Sequence, residues 1–363
     1  MNRQGSKLKL KPGVVTGQDL VDLYAYCREA KCALPAYNVI GSSSLNAAMQ
    51  AAREANAPII IQFSNGGAHF NAGKFLDNSD ERAAVAGGVA GARHVHILSR
   101  IYGVAVVLHT DHAARKLLPW IDGLLEEGAR FHQETGAPLF SSHMLDLSEE
   151  PLEENLATCR DYMKKLAAID MQLELELGVT GGEEDGVDNS SVDASRLYTQ
   201  PEEVLAAYEA LKDLGQFTVA AAFGNTHGVY KPGNVKLKPE ILKASQDKVS
   251  EVHDLPEKPL ALVFHGGSGS TEEEITEAVS YGVVKFNIDT DTQWAFTQPI
   301  KKYMDENDGY LHSQIGNPEG PDKPNKKKID PRGWMHLGEK QVVKRLVDAF
   351  GHLGAVDKFV FED

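Results

Sequence analysis

Short apolar runs recur along the chain, each ending in a polar cluster, with helix-patterned segments between them. The clearest is residues 104–112, VAVVLHTDH. Its unbroken apolar half predicts a strand buried on both faces, delivering His109, Thr110, Asp111 and His112 to a rim. On strand geometry His109 and Asp111 share a face, and His112 points elsewhere as the chain turns. The same reading gives strands at 33–37, ending at Asn38; 58–63, ending at Ser64; and 138–140, leading into Ser141, Ser142, His143 and Asp146. Four more follow at 171–177, 217–223, 260–264 and 283–288, the last three ending near His227, His265 and Asp289.

Helical patterns separate these strands at 81–102, 117–134, 200–214, 239–250 and 271–281, with a terminal helix at 340–353. Ser42 to Ser44 are candidate caps of a helix running to Ala52, and Ser148 is a candidate cap of one running to about Ala168. Eight buried strands alternating with helices, with polar groups at each strand end, predict an α/β fold of the (β/α)8 TIM-barrel type. An open doubly wound sheet would gather its polar groups at one switch point instead. Residues 1–363 read as a single barrel domain with extra helices. Within it, 292–363 form a C-terminal helical extension that includes a long excursion rich in Gly, Pro, Asn and Lys at 316–332.

A length of 363 residues suits one such barrel. With 42% hydrophobic and 25% charged residues the composition is that of a globular protein, and no apolar run approaches the ~20 residues of a membrane helix. A net charge of −15 argues against nucleic acid as a partner, so the positive charge holding an anionic substrate must be local. Cys27, Cys32 and Cys159 form neither an even disulfide framework nor a spaced zinc set, which fits a reducing compartment and a cytoplasmic location. Arg3, Lys7, Lys9 and Lys11 lack the apolar core of a secretory signal; a clipped transit peptide is the alternative to a cytosolic N-terminus.

His112, His227 and His265 fall at the ends of the third, sixth and seventh strands. Converging on one barrel mouth, they suit Zn²⁺ bound by three protein ligands with an open position. His94 and His96 imitate a ligand pair but lie in a helical pattern, where residues two apart do not share a face, so they read as structural. In residues 173–177, LELEL, the leucines take one strand face and Glu174 and Glu176 the inner one, where carboxylates need cations. Two accounts stay open: an internal ion pair, with Lys285 a candidate partner, or Glu176 as an alternative metal ligand.

Residues 181–186, GGEEDG, read either as an exposed acidic loop or as a hinged loop bringing a carboxylate to a substrate C–H. His265-Gly266-Gly267-Ser268-Gly269-Ser270-Thr271 opens a helix and, with Asn287 to Thr290, occupies the phosphate position recurrent in these barrels. Among Lys323, Lys326, Lys327, Lys328 and Arg332, the planar fork of Arg332 best matches a second phosphate.

HTDH at 109–112, LELELG at 173–178, GGEEDG at 181–186, GNTHGVYKPG at 224–233, FHGGSGS at 264–270 and NIDTDTQW at 287–294 together resemble the zinc-dependent class II fructose-bisphosphate aldolases. The likeness runs from KPGVVTG at Lys11 to the C-terminal helix, and PNKKKIDPRGW at 324–334 looks like the class IIA branch. The loops at 77–83 and 214–217 follow the family loosely. The resemblance implies reversible cleavage of fructose 1,6-bisphosphate to dihydroxyacetone phosphate and glyceraldehyde 3-phosphate, with Zn²⁺ polarising the ketone.

It implies that His112, His227 and His265 hold the metal, with Glu176 and, less directly, Glu174 at an alternative position. Asp111 would shuttle the proton of the cleaving hydroxyl, and Glu184 would exchange the proton at dihydroxyacetone phosphate. Gly228, Gly266, Ser268, Asn287, Asp289 and Thr290 match a ketose-side phosphate site that recruits a monovalent cation, Na⁺ or K⁺. Asn38, Ser64 and Arg332 match the distal end, Arg332 reaching from the other subunit of a homodimer. Three rivals are a Schiff-base aldolase using Lys285, a tagatose-bisphosphate aldolase, and a phosphosugar-binding protein without catalysis.

Overall fold

The computed structural model describes residues 7–180, 197–225, 237–267 and 270–362, and the backbone of 183–184 and 187–188. Among them eight parallel strands close into a barrel: β1 (Leu34–Asn38), β2 (Ile59–Phe63), β3 (Ala105–Thr110), β4 (Ser142–Leu145), β5 (Gln172–Leu177), β6 (Phe217–Ala221), β7 (Leu262–Phe264) and β8 (Val283–Ile288). Each pairs with the next, and Lys285 to Ile288 of β8 pair with Leu34 to Tyr37 of β1 to complete the ring. Gly13–Val14 adds a short strand beside β3.

The surrounding helices are α1 (Ser42–Ala55), α2 (Arg82–Tyr102), α3 (Leu118–Thr135), α4 (Leu152–Ala167), α5 (Pro201–Leu211), α6 (Glu240–His253), α7 (Glu272–Ser280) and α8 (Thr290–Glu306). A further helix, Gly17–Ala30, precedes β1 and buries Leu20, Leu23, Tyr24 and Cys27. Another, Asn65–Ala72, follows β2 and meets α2 backbone to backbone: a Cβ at Gly87 would lie 1.8 Å from the Ala68 carbonyl oxygen. After α8, α9 (Pro331–His352) packs along α1 and α8.

Strand composition explains the two-layer arrangement. Every residue of β3 and β5 is buried, as strands covered by helices outside and by opposing strands inside must be. Polar residues collect inside: Gln62, His109, Glu174, Thr218 and Lys285 are each no more than 4% exposed. They satisfy one another across strands rather than facing water.

Three details differ from the sequence reading. The fourth strand pairs through Ser142 to Leu145, after the apolar residues 138–140, because Ser142 and His143 find polar partners on β3. Its helix starts at Leu152 behind Pro151, and the Ser148 hydroxyl donates to Asp146 rather than capping α4. The expected excursion at 316–332 is a hairpin, Ile315–Asn317 with Gly320–Pro324, followed by the short helix Lys326–Ile329. The buried Asn325 amide pins it by donating to the carbonyls of Ser313 at 2.8 Å and Gly316 at 3.0 Å.

Candidate active site

β3 ends by placing two neighbouring side chains at the barrel mouth. Asp111 is fully buried, and its backbone N–H still bonds the Phe63 carbonyl of β2 at 2.8 Å. His112 then takes φ +21°, outside the usual range of a non-glycine residue, and turns its ring back so that Nε2 lies 4.0 Å from Asp111 Oδ1. His265, just beyond β7, packs edge-on against His112 with ring centroids 4.6 Å apart.

Carboxylates surround these imidazoles. His112 Nδ1 lies 3.0 Å from Asp146 Oδ2 and 3.3 Å from Glu176 Oε2, and His265 Nδ1 lies 3.5 Å from the same Glu176 oxygen. The other Glu176 oxygen accepts from the Thr180 hydroxyl at 2.7 Å. Asp111, His112 and His265 form one set of ligand atoms all within 4.8 Å of one another, and His112, Asp146 and Glu176 form a second. Among the described residues no side chain makes a well-aligned hydrogen bond to the buried Glu176 Oε2, which the two imidazoles approach.

The electrostatics call for a cation at this point. Burial would lower the His265 imidazole, yet Glu176 and Glu174 push it up to about 9. Imidazole nitrogens and carboxylate oxygens within ligand distance are the donor set of zinc and related divalent metals, so the residues present fit such an ion.

Asp111 is held in place by two amides. Asn38 Nδ2 donates to Oδ2 at 2.9 Å and Asn287 Nδ2 to Oδ1 at 3.2 Å. Behind Asn38, Gln62 Nε2 donates to its side-chain oxygen at 2.5 Å, fixing which end of the amide faces Asp111. Burial alone would raise the Asp111 carboxyl, but His112, Lys285, His265 and the Asn38 bond hold it at about 2.

Glu174 settles a different question. Oε1 accepts from Lys285 Nζ at 2.8 Å and lies 2.9 Å from His265 Nε2, while Oε2 lies 3.3 Å from His109 Nε2. Burial would raise its carboxyl, but Lys285 and His109 keep it well below the usual range. The internal ion pair is therefore that of Glu174, and Glu176 faces the metal-type cluster. His94 and His96 lie apart, bonded to the Asn46 side chain and the Leu139 carbonyl, each at 2.9 Å.

On the rim, Ser64 caps the helix Asn65–Ala72, its hydroxyl accepting from Gly67 N at 3.1 Å. Gly266 takes φ +60°, and Gly267 leaves room for the Phe286 ring, whose nearest carbon would be 2.2 Å from an added Cβ. Thr271 and Glu274 close a capping box on α7. Asp289 precedes Thr290, the first residue of α8. His227, Gly228, Ser268 and the Glu184 side chain lie outside the described residues; the Glu183–Glu184 backbone pairs with Val187–Asp188. Arg332 is exposed at the start of α9, its guanidinium 2.6 Å from Asp330.

Sequence reasoning placed Asp146 at a strand end without giving it to the site, and passed over Gln62, hidden inside the apolar run PIIIQF. The recurrence of polar clusters at strand ends was the available signal for Asp146. Gln62 becomes visible only once β1 and β2 are in register, with Asn38 opposite it.

A closed parallel barrel with buried imidazoles and carboxylates gathered where its strands end defines a barrel enzyme whose site suits a metal ion. Comparison with known proteins narrows the class. The family described as "Fructose-bisphosphate aldolase class-II" matches residues 18–358. A Haemophilus influenzae protein named fructose-bisphosphate aldolase is 58% identical over 96% of this chain and 98% of its own length. An Escherichia coli protein named fructose-bisphosphate aldolase class 2 is 55% identical over the same shares. The crystal structure of a fructose-bisphosphate aldolase from Campylobacter jejuni superposes with a TM-score of 0.87 at 56% identity, covering 96% of this chain and 98% of that one. The chain belongs to the class II fructose-bisphosphate aldolase family, and it is an enzyme.

Proposed function

We propose that the chain reversibly cleaves fructose 1,6-bisphosphate to dihydroxyacetone phosphate and glyceraldehyde 3-phosphate, using Zn²⁺ held by His112, His227 and His265. The observation that carries this reading is the Asp111 carboxylate, fixed by two amides beside His112. When bound, zinc supplies Lewis acidity toward the ketone oxygen of the sugar. Glu176 offers the metal an alternative position. Glu174 is the weaker candidate, since its oxygens are engaged with Lys285, His265 and His109.

Asp111 moves the proton of the hydroxyl next to the breaking carbon–carbon bond, and its ionised state suits it to accept that proton. Glu184 exchanges the proton at the dihydroxyacetone phosphate carbon. Gly228, Gly266, Ser268, Asn287, Asp289 and Thr290 receive the ketose-side phosphate with Na⁺ or K⁺ nearby, and the α7 N-terminus favours that anion. Asn38 and Ser64 orient the distal half. Arg332, outside the cluster of its own chain, serves the distal phosphate across a homodimer. Residues 1–363 act as one barrel domain with 292–363 as an extension, and the enzyme works in the cytoplasm. Among the described residues no helix is long and apolar enough to cross a membrane.

The tagatose epimer differs by the configuration of one hydroxyl. Relative kcat/KM on the two bisphosphates tests the substrate: preference for the fructose isomer supports the reading, and preference for the tagatose isomer overturns it.

A further inference from the structure

At the end of the barrel opposite the metal-type cluster lies a second polar cavity, of about 230 Å³. Its walls come from the helix Gly17–Ala30, the first residues of β5 and β6, and the approach to β7. Arg28, Gln172 and Tyr24 line it, with Lys212 also in the lining. No residue lining it is acidic.

Hydrogen-bond donors collect here. Arg28 is partly buried, and among the described residues its guanidinium meets one acceptor, the Pro259 carbonyl, at 3.0 Å. Gln172 is 4% exposed and Tyr24 5% exposed, and both line the cavity. Lys212 is paired with the exposed Asp213 at 2.6 Å. A partly desolvated guanidinium gains from a nearby anion; among the described residues no carboxylate lies within ion-pair distance of Arg28, and Glu29 acts on it only at longer range.

We propose that this cavity binds a small oxyanion, phosphate or carboxylate, gripped by the Arg28 fork and by the Gln172 amide and Tyr24 hydroxyl. The planar fork matches two oxygens of either anion. The cavity has room for such an ion. It is separate from the substrate site and does not depend on how that site works.

The test uses the metal-loaded enzyme. Crystals soaked in selenate should show an anomalous selenium peak beside Arg28 and Gln172, absent from Arg28→Met and retained in Arg28→Lys. In solution, calorimetric titration with inorganic phosphate and, separately, with acetate should show a site that Arg28→Met weakens by roughly tenfold or more, the loss of a charged hydrogen-bond pair. Gln172→Met should weaken the same site less. Comparison with the variant cancels phosphate bound at the barrel mouth, and the stronger of the two titrations identifies the anion's source. A cavity holding only water in selenate, or phosphate and acetate isotherms unchanged by Arg28→Met in a protein of normal thermal midpoint, would overturn the proposal.

Discussion

Lys285 Nζ donates to Glu174 Oε1 at 2.8 Å inside the barrel, where the two side chains are 1% and 2% exposed. This pair bears on both mechanism and stability. A lysine that forms a Schiff base must offer a neutral amine. Lys285 is instead engaged as the cation that holds the Glu174 carboxylate, which in turn meets His265 and His109. Replacing Lys285 by Met takes a buried lysine partner from that carboxylate, so Lys285→Met should destabilise the fold by about 3–5 kcal/mol. Denaturant unfolding measures this, and an unchanged midpoint would show the pair to be dispensable.

Asp111 differs from Glu174 in having amide donors on both carboxylate oxygens. Removing its charge should spare the fold and the metal while removing proton transfer. For Asp111→Asn we expect metal content equal to the parent enzyme and kcat lower by about 10²–10⁴-fold, the usual worth of a general acid–base group. Steady-state kinetics with metal analysis on the same sample checks this. An unchanged kcat would take Asp111 out of the reaction.

His143 sets a pH dependence unrelated to the metal cluster. Burial, with His109 nearby, lowers its imidazole to about 3, while Nδ1 pairs with the Thr110 hydroxyl at 2.8 Å. In the unfolded chain it titrates near 6.5. Between those values the unfolded state binds one more proton than the folded state, so His143 removes stability as the pH falls from about 6.5 toward 3, by about 1.4 kcal/mol per unit. Above pH 7 it has no such effect. Unfolding free energies for the parent and His143→Gln, measured from pH 7.5 to 4.5, should diverge on the acid side, the variant losing less. Parallel curves would mean that His143 is not buried neutral.

The barrel was legible because helix-covered strands contain continuous apolar runs, as the first four residues of β3 do, while β5 showed itself by leucines alternating with inward glutamates. β4 was not, since an apolar run draws the eye to Leu139 and Phe140 while the paired residues include Ser142 and His143. Periodicity carries no information about polar residues that satisfy one another across strands. The strand ends also announced His112 and His265, which the fold brings into contact. The Glu174–Lys285 pair was foreseeable because inward carboxylates need cations, and Lys285 was the candidate named for that role. Asp146 stood among the polar residues after the fourth strand, but its pairing with His112 appears only in three dimensions.

The central claim is that cleavage depends on a metal held at the barrel mouth and not on a lysine. A coupled assay of fructose 1,6-bisphosphate cleavage, run before and after exhaustive chelation and again after adding Zn²⁺, tests it most directly. The expected result is turnover that chelation abolishes and Zn²⁺ restores, with no covalent adduct at Lys285 after borohydride treatment in the presence of substrate. Full turnover in metal-free protein, with borohydride trapping the sugar on Lys285, would contradict the account.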